Sequence, residues 1–159
     1  MTDFEELIHR LHRSAVEFLI VGGLAATIHG SARLTQDLDI VYSRSAENIG
    51  RLVDALAPLA PYLRGAPEGL PFRLDAETVR AGLNFTLQTR VGALDLLGEI
   101  TGGGNYAALH RHTITVVLFG VRVAALDLET LIRVKRAAGR PKDLEVIAEL
   151  EALREEQRG

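Results

Sequence analysis

Cysteine is absent from this chain of 159 residues, so disulfides and thiolate-held metals are excluded and a cytoplasmic protein is the expectation. No apolar run approaches the roughly 18 residues that span a bilayer, and no membrane partner is expected. A strong charge of one sign is also lacking. The net charge of −3 gives no basic footprint for broad, nonspecific binding of nucleic acid, although it leaves room for a small phosphate site. Lysine is nearly missing: Lys135 and Lys142 stand against 16 arginines, so each lysine draws attention. Repeats and low-complexity tracts are missing too. The first 13 residues are acidic and amphipathic, which predicts a helix rather than a cleaved signal. What remains is an ordinary globular composition, 47% apolar and 25% charged, long enough for one domain with a real core and marginal for two.

Periodicity outlines the elements. Phe4, Leu7, Ile8 and Leu11 fall at helical spacing within 3–15. Residues 17–21 read as a buried strand ending at Gly22-Gly23, and 24–29 as a short helix stopped by Gly30. A strand at 37–42 precedes a helix at 46–56 with Ile49, Leu52, Val53 and Leu56 on one face; Pro58 and Pro61 break it. Residues 57–71, with four prolines and two glycines, form a connector. Asp75 caps a short helix to 81, and strands follow at 83–88 and 91–97. Gly102-Gly103-Gly104 reads as a flexible loop, and a hairpin at 113–119 and 121–124 turns at Gly120. Asp127 caps a helix to 138, ended by Gly139 and Pro141, and a last helix covers 142–156. Successive strands without helices between them after residue 83 argue against a doubly wound parallel sheet. The expectation is an α/β (α+β) chain: a mixed sheet flanked by helices, lying on one side, in a single domain over 1–159 with its core at about 17–125 and two C-terminal helices at about 127–156.

The chemistry lies in the carboxylates. Asp37 and Asp39 are two apart on a strand and share a face, while Leu38 and Ile40 point into the opposite layer. Side by side they repel unless a cation sits between them, and a divalent metal is the simplest one. A solvated strand end is the plain alternative. Asp95 interrupts the apolar run 91–97, where an ionised carboxylate is costly unless paired or metal-bound; a surface strand with one polar position is the other reading. Three aspartates on two strands suit two magnesium ions, one lowering the pKa of an attacking hydroxyl and the other steadying a triphosphate and leaving pyrophosphate. Asp95 is the residue best placed as the base. Gly22-Gly23 lets backbone approach a ligand, with free N–H groups at the helix start behind it, although a tight strand-to-helix turn needs the same glycines. No Gly-Lys-Ser/Thr follows, so it is not a Walker loop.

Lys135, about two turns beyond its helix cap, is long enough to reach β and γ phosphates as a point charge, or it belongs to a solvated face. Arg33 and Thr35 orient an acceptor or phosphates, or are simple loop polarity. Asp143 caps its helix or pairs with Arg140. His29 reads as a packed or capping histidine, and His110-x-His112 lacks a third ligand nearby. Gly102 to Gly104 offers a lid or a plain loop. No aromatic platform for a base stands out; Phe72, Phe85 and Tyr106 are the weak candidates.

Gly-Gly, thirteen residues, Asp37-x-Asp39 and a later Asp95 in an apolar setting together resemble the nucleotidyltransferase superfamily of DNA polymerase beta. With Arg33-x-Thr35-x-Asp37 and Lys135-x-x-Ala138-Gly139-Arg140-Pro141-Lys142-Asp143, the chain is similar to the small bacterial AbiEii-toxin and minimal nucleotidyltransferase groups over roughly 17–150. The resemblance implies a mixed sheet with flanking helices and an enzyme that moves a nucleoside monophosphate from an NTP, such as ATP, to a hydroxyl. It implies Asp37, Asp39 and Asp95 as catalytic metal ligands for two Mg²⁺ ions, with Mn²⁺ possible in their place. It also implies Gly22, Gly23, Arg33, Thr35 and Lys135 as nucleotide and phosphate contacts. The acceptor would be a protein side chain, a tRNA end or a small molecule, within a toxin–antitoxin system. With little beyond the catalytic domain, a partner chain or second copy is expected to supply the acceptor surface. One position departs from the pattern: many members have Gly-Ser at the turn, where this chain has Gly23, and weaker phosphate binding is expected there. The rival from another class is a non-catalytic antitoxin-like or regulatory NTP-binding module.

Overall fold

The computed structural model describes residues 1–159, and the chain is built on one long sheet with helices packed against it. The first helix, α1 (Phe4–Arg13), is capped by Asp3, whose carboxylate accepts from Glu6 N, and buries Leu7, Ile8 and Leu11. Strand β1 (Phe18–Val21) runs straight into helix α2 (Gly22–Ile28), and β2 (Asp37–Tyr42) returns beside β1. Ser45 caps α3 (Ala46–Leu56), which buries Ile49, Leu52 and Leu56. A single 3-10 turn over Ala57–Leu59, which contains Pro58, and the short strand β3 (Tyr62–Leu63) lead, by way of α4 (Ala76–Ala81, capped by Asp75), to the antiparallel pair β4 (Asn84–Thr89) and β5 (Gly92–Leu97).

Two short strands, β6 (Glu99–Ile100) and β7 (Gly104–Asn105), pair with each other ahead of α5 (Tyr106–Leu109). The hairpin β8 (Thr113–Leu118) and β9 (Val121–Leu126) follows, then α6 (Leu128–Ala138) and α7 (Pro141–Arg158).

The seven-stranded sheet has the order β3-β4-β5-β2-β1-β9-β8. Pairs β2/β5 and β1/β9 are parallel and the rest antiparallel, so the sheet is mixed as the element order predicts. Leu38, Ile40, Leu94 and Leu96 are fully buried on one face, the outcome of alternating side chains on β2 and β5. Helix α6 covers the other face near β2: Val21 and Leu97 of the sheet and Leu131 and Val134 of α6 line one small cavity. Helices therefore cover both faces rather than one, because the strands carry apolar residues on both.

The glycine segments also differ from expectation. Helix α2 begins at Gly22 itself, two residues early. Gly102 to Gly104 is not a loose loop: a side chain on Gly102 would collide with Ala137, one on Gly103 would meet Val134 at 3.0 Å, and Gly104 joins the β6/β7 pair. No helix is long and apolar enough to cross a membrane.

Candidate active site

Register brings the aspartates together. In the parallel β2/β5 pair Asp39 lies opposite Asp95, and Asp37, two residues earlier, projects from the same face of β2. A carboxylate oxygen from each of Asp37, Asp39 and Asp95 lies within 4.8 Å of the others. Burial, and then the neighbouring charges of Asp95 and Asp37, push the Asp39 carboxyl up to about 7, with Lys135 pulling the other way. Asp39 Oδ1 is buried and has no hydrogen-bond partner. An orphaned buried oxygen beside two more carboxylates is a donor set that fits a hard divalent cation.

The glycine turn is pressed against this cluster. Gly22 has φ +67°, and a Cβ there would run into the Asp39 carboxylate. A Cβ on Gly23 would lie 2.5 Å from Thr35 Oγ1. Two side-chain-free positions are what allow α2 to start so close to β2 and the loop before it. A serine in place of Gly23 would collide here with Thr35, whose hydroxyl donates to the Asp37 carbonyl at 3.2 Å.

A cleft of ≈ 330 Å³ opens over the triad, and Gly23, Arg33, Thr35 and Lys135 line it together with Asp37, Asp39 and Asp95. Gly22 instead lines a smaller adjoining cavity of ≈ 110 Å³ with Asp39 and Lys135. Arg140 and Lys142 add positive charge to the main cleft. Lys135 is held 3.5 Å from Asp143 Oδ1. Asp143 is buried and accepts from Arg140 Nε at 2.7 Å and from the Arg140 backbone at 3.3 Å, so it both caps α7 and pairs with Arg140. Burial alone would raise the Asp143 carboxyl; the Arg140 hydrogen bond and the Lys135 charge outweigh it and hold it below the usual carboxylate range. Arg33 lies at the mouth, half exposed, 3.7 Å from both Glu145 and Glu149. Glu149 also accepts from Ser31 Oγ at 2.6 Å and from Ala32 N, which ties the loop before β2 to α7.

One side chain that touches the triad, from outside the lining of the main cleft, carried no signal in the sequence. Arg64 sits in the proline-rich connector, yet its guanidinium donates to Asp95 Oδ1 at 2.6 Å and lies 3.6 Å from Asp37 Oδ2. The remaining candidates stay away from the cleft. His29 donates to the Leu126 carbonyl at 2.7 Å, a packed histidine as its position predicts. His110 stacks on Tyr106, and neither it nor His112 joins a group of metal-ligating side chains. Phe72 meets Tyr62 edge-on, and none of Phe72, Phe85 and Tyr106 lines the main cleft.

No protein-family model and no curated protein sequence matches the chain. Solved structures do resemble it. The lincosamide antibiotic adenylyltransferase LnuA, solved with lincomycin bound, superposes with a TM-score of 0.62 at 15% identity, over 96% of this chain and 98% of that one. ANT(2″)-Ia in complex with adenylyl-2″-tobramycin gives 0.55 at 17% identity, over 96% and 93%. An antigenic nucleotidyltransferase-like protein from Paracoccidioides brasiliensis gives 0.53 at 17% identity, over 94% and 73%. At such identities the likeness concerns architecture, and it agrees with the element order and the sheet: the chain has the nucleotidyltransferase fold, a mixed sheet flanked by helices.

Proposed function

We propose that this chain is a single-domain, magnesium-dependent nucleotidyltransferase that moves a nucleoside monophosphate from an NTP to a hydroxyl. The observation that carries the proposal is the three-aspartate cluster with its orphaned Asp39 oxygen, facing a cleft lined by Lys135, Arg140 and Lys142. Asp37, Asp39 and Asp95 would hold Mg²⁺, or Mn²⁺ in its place, and the metal would supply Lewis acidity that lowers the pKa of the acceptor hydroxyl and offsets charge on the triphosphate. The chain's own residues account for the rest. Gly22 and Gly23 bring bare backbone to the phosphates, and Lys135, Thr35 and Arg33 offer a charge, a hydroxyl and a guanidinium around them. Asp95 takes the proton of the acceptor hydroxyl as its oxygen bonds to the α-phosphorus and pyrophosphate leaves.

The relatives in fold solved with lincomycin or adenylyl-tobramycin support a small hydroxylated molecule as one acceptor class, beside a protein side chain or a tRNA end. A cytoplasmic toxin–antitoxin pair of the AbiEii kind, with a partner chain or second copy completing the acceptor surface, is the setting the sequence pattern favours. Incubation with Mg²⁺, each α-labelled NTP and either cell extract or defined acceptors tests the activity. Label transfer that disappears in Asp37→Asn/Asp39→Asn is the expected result; transfer that survives this double substitution removes the assignment. The second reading, an antitoxin-like module that binds NTP without turnover, is favoured by the Arg64 guanidinium on Asp95. It predicts a thermal shift with NTP and Mg²⁺ and no label transfer.

A further inference from the structure

Arg64 is the one basic side chain in ion-pair contact with the triad. Its delivery there is a matter of register. Strand β3 ends at Leu63, opposite Leu87, and the Arg64 N–H extends the pairing by donating to Thr86 O at 2.9 Å. Thr86 lies opposite Asp95, and Asp95 opposite Asp39. Arg64, Thr86, Asp95 and Asp39 thus form a row across the sheet, and the guanidinium reaches along it. One terminal nitrogen donates to Asp95 Oδ1 at 2.6 Å and to the Leu87 carbonyl at 2.7 Å; the other lies 3.6 Å from Asp37 Oδ2. An arginine does not lose its proton at any working pH, so this charge is permanent.

The contacts divide the triad unevenly. Asp95 and Asp37 share a cation already, while Asp39 Oδ1 is buried and unpartnered. Once Asp39 has given up its proton, the three carboxylates and the guanidinium together carry two negative charges, which a single divalent ion offsets. A second divalent ion between Asp95 and Asp37 would have to displace the guanidinium or share its place, and like charges at contact distance repel.

We propose that Arg64 is a resident cation of the triad, standing where a second metal would sit, so that the nucleotide-free chain binds one divalent ion and not two. The proposal rests on the reading of the triad as a metal site and revises the two-ion expectation drawn from the three aspartates and from family resemblance. Arg64 is in this account a positioning residue: it holds the Asp95 carboxylate in one orientation and sets the number of metals.

The test is a titration of the full-length, EDTA-treated and dialysed chain with MnCl₂ without nucleotide, with free Mn²⁺ followed by its EPR signal. The wild-type chain is expected to bind one Mn²⁺. Arg64→Ala and Arg64→Gln, which remove the charge, are expected to bind two, and Arg64→Lys, which keeps it, one. Thermal melts in EDTA establish that each variant is folded, and the Gln variant stands in should the Ala variant fail. Two Mn²⁺ on the wild-type chain, or one on both neutral variants, overturns the proposal while leaving the metal site intact. No Mn²⁺ on the wild-type chain overturns the metal site and this proposal together, a different result from the first.

Discussion

Asp39 makes the stability of the metal-free protein depend on pH in an unusual direction. Burial and two neighbouring carboxylates raise its carboxyl from the ordinary 3.8 to about 7. The folded chain therefore holds this proton more tightly than the unfolded one. The stabilisation is complete below pH 3.8 and is lost as pH rises through 7. At ~1.36 kcal/mol per pH unit the whole effect is about 4 kcal/mol, of which about 2–3 kcal/mol falls between pH 5 and pH 8. Asp143, held below the usual range, acts with the opposite sign and in a more acid window, so it does not mask this one. Urea denaturation in EDTA at pH 5 and pH 8 measures the change, with Asp39→Asn as the reference that removes the titration but keeps the histidines. The wild-type chain is expected to lose about 2–3 kcal/mol more than the variant between the two pH values, and the variant to be the more stable protein at pH 8 by about 2 kcal/mol. Added Mg²⁺ should stabilise the wild-type chain at pH 8 and leave Asp39→Asn nearly unmoved. Equal pH dependence in both proteins, or a variant less stable at pH 8, would refute the account of Asp39 as a buried carboxylate under like-charge pressure.

Three further outcomes follow from particular contacts. Gly22→Ala forces a side chain into the Asp39 carboxylate at φ +67°, and chemical denaturation should show a loss of about 2 kcal/mol or more. Asp143→Asn leaves Arg140 and Lys135 without their buried partner; a loss of about 2–4 kcal/mol in the same assay is expected, with a raised KM for NTP because Lys135 is no longer held at the cleft. Leu38→Ala opens a hole on the buried face of β2, opposite the aspartates, and should cost about 2–5 kcal/mol in stability while KM for NTP in the remaining folded protein stays within about twofold.

Much of the architecture was legible along the chain because its causes are local. Period-2 alternation in β2 puts Asp37 and Asp39 on one face and Leu38 and Ile40 on the other. Helical spacing in α1 and α3, and the caps at Asp75 and Asp127, depend on neighbours within a few residues. The hairpin at Gly120 and the break at Gly139-Arg140-Pro141 are of the same kind. The short strands were not legible: β3, β6 and β7 are two residues each, too short for any period to show.

The sequence by itself determined which side chains were available for the candidate site: two aspartates sharing a strand face, a third in an apolar strand, a glycine pair after β1 and a scarce lysine on α6. Tertiary structure alone decided that they meet. The parallel register of β2 on β5 sets Asp39 against Asp95, though more than fifty residues separate them, and one step of slip would turn Asp95 to the other face. Packing of α6 over that face brings Lys135 to the cleft, and the bare backbone of Gly22 admits the Asp39 carboxylate. Arg64 shows the limit most plainly. In the sequence it is one of 16 arginines, in a connector without periodicity; a single β-bridge row places its charge on the two carboxylates that need it. Local pattern selects strand and face, while pairing between distant strands selects the neighbour, because that choice is made by contacts the chain does not form until it folds.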